Sequence, residues 1–457
     1  MIISQNPYSN TIEFTGTYDA IASIQNTLDR SKLAYSNWKN LSISNRKAHL
    51  FKLAETMNEE KSRLAKQITA EMGKPLNESI AEIEKCIAST HWYIENIDRL
   101  ITDTSFLIDE SSTHAFVRLE PIGSVLGIMP WNFPYWQVFR YAIPTLLMGN
   151  AVILKHAPNV QGCAKALEQL FQSASLPEDI FISVFPSNED IEILIASPVV
   201  KAVTFTGSER TGRIVAGMAG KYLKKCVMEL GGSDPFIVLP DTDLNNTIKE
   251  AVKARLQNNG QSCIAAKRFI IHTECYEAFI NGLKNAVSKL KLGDPMLDTT
   301  DLGPMARRDL KEQLVKQVEQ SITLGATCTY KHPFHDSDSN FFAPVILENI
   351  SPDAPARHEE LFGPVFTCIK AENDAEAITI ANETSFGLGA SVWTKDIKRG
   401  QDLASKIESG SVFINGITRS DARIPFGGIK NSGFGRELSV YGLHEFVNIK
   451  TYWEHTV

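Results

Sequence analysis

Between residues 124 and 239 short apolar runs alternate with helix-like stretches, and this alternation restricts the fold more than any other feature of the chain. Residues 125–128, 151–154, 182–185, 202–205 and 236–239 read as strands. Alternation of this kind builds a mostly parallel sheet covered by helices on both faces. Ligands on such sheets bind at the carboxyl ends of the strands. Three motifs fall there: Met129-Pro130-Trp131-Asn132-Phe133-Pro134, Lys155-His156-Ala157-Pro158 and Thr206-Gly207-Ser208. The last precedes a helix expected to begin near Ser208, whose unpaired backbone N–H groups would favour a phosphate. No GxGxxG fingerprint is present, so a dinucleotide would have to bind in a less usual way. After Met228-Glu229-Leu230-Gly231-Gly232 a second alternating region runs to about residue 415, with strands expected at 268–272, 365–369, 391–394 and 412–414. It reads as a second α/β domain.

A chain of 457 residues is too long for one hydrophobic core, so two or three domains are expected. Residues 18–102 show helical spacing of apolar positions, interrupted at Gly73-Lys74-Pro75, with a long helix expected from 76 to about 100. Residues 105–121 look like a hairpin that leaves the domain body, and residues 330–341 like a polar surface loop. The net charge of −7 is evenly spread, so nothing favours nucleic acid or an anionic membrane surface. No apolar run approaches the ~20 residues that span a bilayer, and the N-terminus lacks the pattern of a secretion signal. Seven cysteines lie far apart without a CxxC pair. That usage suits a reducing, cytoplasmic setting, and no metal site is expected.

One cysteine stands apart. Residues 257–268, Gln-Asn-Asn-Gly-Gln-Ser-Cys-Ile-Ala-Ala-Lys-Arg, place Cys263 after a glycine turn and before a strand, with small Ser262 and Ala265 leaving room at the sulfur. A single cysteine is more often a small buried apolar residue, so partners elsewhere must decide its role.

Those partners carry a resemblance. Pro130-Trp131-Asn132-Phe133-Pro134, Phe205-Thr206-Gly207-Ser208, Glu229-Leu230-Gly231-Gly232, Gly260-Gln261-Ser262-Cys263, Glu360-Leu361-Phe362-Gly363-Pro364 and Pro425-Phe426-Gly427-Gly428 follow one another in the order typical of the aldehyde dehydrogenase superfamily, which the chain resembles over nearly its whole length. The resemblance implies an α/β architecture: a Rossmann-like cofactor-binding domain (residues 1–104 and 122–229), a second α/β catalytic domain (230–419), a return to the first (420–437), and a small β oligomerisation element (105–121 and 438–457). It implies Cys263 as nucleophile, a role for which a thiolate suits an aldehyde carbonyl. Asn132 and the Cys263 backbone N–H would hold the oxyanion. Glu229 would be the base for the water that cleaves the thioester.

For the cofactor, NAD or NADP, the resemblance implies Lys155 at the adenosine ribose, Ser208 at the pyrophosphate and Trp131 along the cleft, with Gly207, Gly212, Leu230 and Phe362 also among the cofactor-binding residues. Glu360 would hold the nicotinamide ribose. Pro158 stands where NAD-preferring members often carry an acid, so a 2′-phosphate should be tolerated. Lys155-His156-Ala157-Pro158-Asn159-Val160 and Ser420-Asp421-Ala422-Arg423 are similar to bacterial succinate-semialdehyde dehydrogenases. That similarity implies Arg140 and Ser420 at the substrate carboxylate. A second arginine of some relatives is replaced by Gln257, leaving Arg255 or Arg419 as candidates for its duty. A homodimer or homotetramer is implied. The alternatives are a dehydrogenase for another small aldehyde and a cofactor-independent thiol acyltransferase or hydrolase.

Overall fold

The computed structural model describes residues 1–106, 108, 113–334 and 339–455. Parts of the expected hairpin tip and of the 330–341 loop therefore lie outside the described residues.

A hairpin that the sequence reading did not anticipate, Ile2–Gln5 with Ile12–Gly16, opens the chain. The helices Ile21–Trp38, Ile43–Glu59, Lys61–Met72 and Leu76–Leu100 follow. Gly73 ends the third at φ 83°, where an added Cβ would lie 2.7 Å from Pro7, so glycine is required on both counts. The fourth helix buries Ser79, Glu82, Ile83, Cys86, Ser89, Thr90, Tyr93 and Ile97. That face is at helical spacing, but half of it is polar, which an ordinary core face is not.

The first large sheet has the order Gly433–Phe434, Lys225–Glu229, Val200–Thr206, Ser124–Met129, Ala151–His156, Phe181–Val184, parallel except for its first strand. The chain winds outward from Ser124–Met129 through two strands, then returns to its other side. This reversal makes the gap between the ends of Ser124–Met129 and Val200–Thr206 the topological switch point. The expected strand near 236–239 forms as Asp234–Val238, but in the second sheet. The fifth parallel strand of the first sheet is Lys225–Glu229. Its outer end is charged and partly exposed and only its last three residues are buried, which hid it from an apolar-run criterion.

The second sheet runs Thr327–Lys331, Val345–Glu348, Val365–Ala371, Ala266–His272, Asp234–Val238, Gly389–Trp393, Ser411–Ile414, parallel but for its first pair. A third sheet pairs Thr113–Pro121 with Thr104–Phe106 on one side and Val447–His455 on the other. Among the described residues no helix is long and apolar enough to cross a membrane.

Candidate active site

Asn132 and Cys263 meet across the boundary of the two large sheets. Asn132 leaves the end of Ser124–Met129, whereas Cys263 follows the tight turn Gln257–Gly260. Asn258 and Asn259 adopt φ 58° and 57°, a region short polar side chains tolerate. A Cβ on Gly260 (φ 73°) would lie 2.6 Å from the Gly363 carbonyl carbon. Asn258 Nδ2 donates to the carbonyls of Asn132 (2.8 Å) and Gln261 (3.0 Å), tying the two loops together. Gln137 Nε2 donates to Asn132 Oδ1 (3.1 Å), which turns the Asn132 NH2 toward the cysteine loop, where it donates to Gln261 O (3.1 Å).

Cys263, Asn132, Trp131, Gly207, Ser208 and Glu360 line one cavity of about 560 Å³, with Leu230 and Phe362 also on its wall. Burial pushes the Cys263 thiol up to about 12, opposed by the charges of Lys267 and Arg140. Lys267 Nζ donates to the carbonyls of Ser262 (2.7 Å) and Cys263 (2.5 Å) and lies 3.4 Å from Glu360 Oε1. At neutral pH the sulfur therefore rests as a thiol and needs a base.

Glu229 ends its strand behind the cavity and does not line it. It is buried, and neither carboxylate oxygen has a hydrogen-bond partner. Burial, then the charge of Glu437, holds its pKa well above the usual carboxylate range, against the pull of Arg140 and Arg436. A Cβ on Gly427 would lie 2.8 Å from Glu229 Oε1, so only glycine leaves the carboxyl its space.

On the switch-point side Ser208 caps the helix Glu209–Lys221, accepting from the Thr211 N–H at 3.4 Å. Gly212 lets this helix close on the strand end, since a Cβ there would stand 2.4 Å from Leu230. Glu360 Oε1 accepts from Gly232 N at 3.0 Å, and Trp131 meets Phe362 edge to face at 5.9 Å. Lys155, at the end of Ala151–His156, has no ion-pair or hydrogen-bond partner among the described residues, and burial lowers its pKa. Lys155 and Pro158 lie beyond the cavity lining, and Pro158 begins the turn Pro158–Val160.

The substrate-side expectations change most. Arg140 is buried in Trp136–Leu147 and is no surface cation: Nε pairs with Glu437, Nη2 donates to Thr206 Oγ1 at 3.0 Å, and the guanidinium lies 5.0 Å from the Phe426 ring centroid. Among the described residues Nη1 has neither a hydrogen-bond nor an ion-pair partner. Arg255 is no candidate for the missing arginine. Its guanidinium is fully buried and donates to the carbonyls of Ala266 (2.8 Å), Gly260 (2.7 Å), Leu361 (3.1 Å) and Gly363, holding up the cysteine turn. Arg419 is exposed. Ser420 is buried and receives two hydrogen bonds, from Trp136 Nε1 (3.0 Å) and from Lys85 Nζ (2.7 Å). Lys85 was missed in the sequence. Its signal was there, in a lysine set beside the buried stripe Glu82, Cys86 and Ser89 of one helix.

A doubly wound sheet with a thiol and an amide at its switch-point cavity defines a class, and comparison agrees. The profile of the Aldehyde dehydrogenase family matches residues 2–452, and the chain belongs to that family. It is 45% identical over 426 residues, 93% of each chain, to a probable succinate-semialdehyde dehydrogenase [NADP(+)] of Synechocystis sp.. It is 42% identical to the succinate semialdehyde dehydrogenase [NAD(P)+] Sad of Escherichia coli, over 95% of this chain and 94% of the other. Among solved structures it superposes on the succinic semialdehyde dehydrogenase of Streptococcus pyogenes in complex with NADP+ with a TM-score of 0.97, at 33% identity and covering 100% of both chains.

Proposed function

We propose that the protein oxidises succinate semialdehyde to succinate with NADP or NAD as the oxidant, through a covalent adduct on Cys263. The observation that carries this reading is the single cavity in which Cys263 and Asn132 share walls with Gly207, Ser208 and Glu360. The residues fit a dinucleotide. A cradle that a Cβ at Gly207 or Gly212 would disturb opens onto a capped helix N-terminus, and the unpartnered Lys155 ammonium stands at a neighbouring strand end. On this reading Lys155 and Ser208 hold ribose and phosphate, Trp131, Leu230 and Phe362 border the cleft, and Glu360 takes a ribose hydroxyl. Pro158 brings no negative charge against a 2′-phosphate.

In the reaction the Cys263 thiol loses its proton to solvent, the sulfur attacks the aldehyde carbon, and the carbonyl oxygen takes up the electron pair. On this reading the Asn132 NH2, oriented by Gln137, and the Cys263 backbone N–H stabilise that oxygen. Loss of hydride turns the tetrahedral adduct on Cys263 into a thioester, and a nicotinamide bound in the cavity would supply the hydride acceptor. Glu229 takes a proton from water, which cleaves the thioester and returns the thiol. A buried carboxyl with a raised pKa and no partner is matched to that duty, because it becomes a strong base once it ionises. Ser420 and Arg140 Nη1 supply donors for the distal carboxylate.

Residues 1–104 and 122–229 then form the cofactor domain, rejoined by 420–437, and 230–419 the catalytic domain. The exposed Phe106, Ile449 and Trp453 on the third sheet favour its covering by another copy, in a homodimer or homotetramer working in the cytoplasm. Light scattering checks the assembly. Reduced-cofactor absorbance, followed with succinate semialdehyde, butanal and other small aldehydes against NAD and NADP, checks the activity. Thioester formation or hydrolysis without any cofactor would favour the acyltransferase alternative.

A further inference from the structure

Lys85, on the helix Leu76–Leu100, carries an ammonium that pairs with no carboxylate among the described residues. Its Nζ donates to Ser420 Oγ at 2.7 Å and lies 4.2 Å from the ring centroid of Trp136. The acids nearest in electrostatic terms are already committed. Glu82 pairs with Lys74 and accepts the N–H groups of Tyr135 (2.8 Å) and Trp136 (2.9 Å), while Asp421 is gripped by Arg423 at 2.8 and 2.6 Å. Arg140, which donates to Thr206 on the wall of the Cys263 cavity, adds a second positive charge that acts on Lys85.

The hydrogen-bond directions are more telling than the charges. Ser420 Oγ accepts from both an ammonium and an indole N–H, neither of which can do anything but donate. Both lone pairs of the hydroxyl are thereby used, so its own hydrogen must point elsewhere, and no acceptor for it occurs among the described residues. Lys85 has two further N–H groups. The locus therefore presents donors and positive charge with no acceptor, the signature of a receptor for an anion. Trp136 is next to Gln137, the residue that orients Asn132, so this receptor and the oxyanion amide are set by the start of one helix.

We propose that Lys85, with the hydroxyl of Ser420 held against Trp136, binds the distal carboxylate of the substrate and is the cation that takes the place of the arginine replaced by Gln257. This deepens the reading given under Proposed function and rests on it. Lys85 selects a carboxylate-bearing aldehyde over a neutral one of equal length.

The test compares kcat/KM for succinate semialdehyde and butanal in the wild type, Lys85→Met and Lys85→Arg. Lys85→Met should lose about 10- to 150-fold on succinate semialdehyde and change little on butanal, with Lys85→Arg recovering most of the loss. A wild type that prefers succinate semialdehyde, with the same preference in Lys85→Met, overturns the assignment of Lys85 and leaves the proposed function standing. A wild type that prefers butanal overturns both. Should Lys85→Met not fold, the wild type supplies the readout by itself. Burial, and then Arg140, lower the Lys85 pKa to about 8, against weaker upward effects of the Cys86 thiol, Glu82 and Asp421. Lys85 is charged below that pH, so the ratio of the two kcat/KM values should be high there and fall as pH rises through about 8. A flat ratio overturns the proposal, and the ratio cancels titrations of Cys263 and Glu229, which both substrates share.

Discussion

Replacing Arg140 by methionine, which on the sequence alone would be a simple test of carboxylate binding, should instead act first on stability. Arg140 and Glu437 are each 2% exposed and form an ion pair. Removing one partner of such a buried pair leaves the other uncompensated and costs about 3–5 kcal/mol. The lost charge-assisted hydrogen bond to Thr206 adds about 1.5–3 kcal/mol. Glu437→Leu should cost a similar amount, because it strands the guanidinium. The double variant Arg140→Met/Glu437→Leu should recover most of either loss, since replacing a whole buried pair by apolar groups is often near neutral. Denaturant unfolding followed by tryptophan fluorescence measures the cycle. The activity consequence has a sign: Arg140 lowers the pKa of both Cys263 and Glu229, so Arg140→Met raises both. The alkaline pH needed for turnover should rise for succinate semialdehyde and butanal alike. Single variants as stable as the wild type, or a double variant no better than the singles, would refute the pair.

Asn132→Ala removes an oxyanion donor and should cost ~100- to 1,000-fold in kcat, about 2.7–4 kcal/mol, in steady-state assays; a loss below about fivefold would place the donor elsewhere. In the apoenzyme, alkylation of Cys263 by iodoacetamide should be slow at neutral pH and rise about tenfold per pH unit, because only the thiolate reacts and its pKa lies near 12. A rate independent of pH between neutrality and pH ~9 would contradict the buried thiol. Mild peroxide should add oxygen to Cys263 without a local disulfide, since Ala265 stands where some relatives carry a second cysteine. A loss of two hydrogens mapped by mass spectrometry to Cys263 would contradict that.

The parts of the molecule legible in the sequence are those whose physics is local. Strand runs such as Ala151–His156 are wholly apolar through four residues, and the left-handed turn before Cys263 advertises itself in Asn258-Asn259-Gly260. Sheet membership is not local. Asp234–Val238 follows Lys225–Glu229 within a few residues, yet the Gly231-Gly232 link carries it into the other sheet, a step that no run of side chains encodes. The arginines were the harder case. Arg140, Arg255 and Arg419 look alike in a string of letters, and they differ in whether Glu437, four backbone carbonyls or solvent receives the guanidinium. Lys85 and Ser420 are 335 residues apart, and only folding shows that the serine accepts from the lysine and the indole at once.

The chemistry proposed for Cys263 can be observed directly. Glu229→Gln, mixed with succinate semialdehyde and NADP and quenched in acid within the first turnovers, should hold a succinyl group as a thioester. Intact mass should show one added group per chain, peptide mapping should place it on Cys263, and Cys263→Ala should show neither adduct nor reduced cofactor. An adduct on another residue, or undiminished cofactor reduction by Cys263→Ala, would contradict the account.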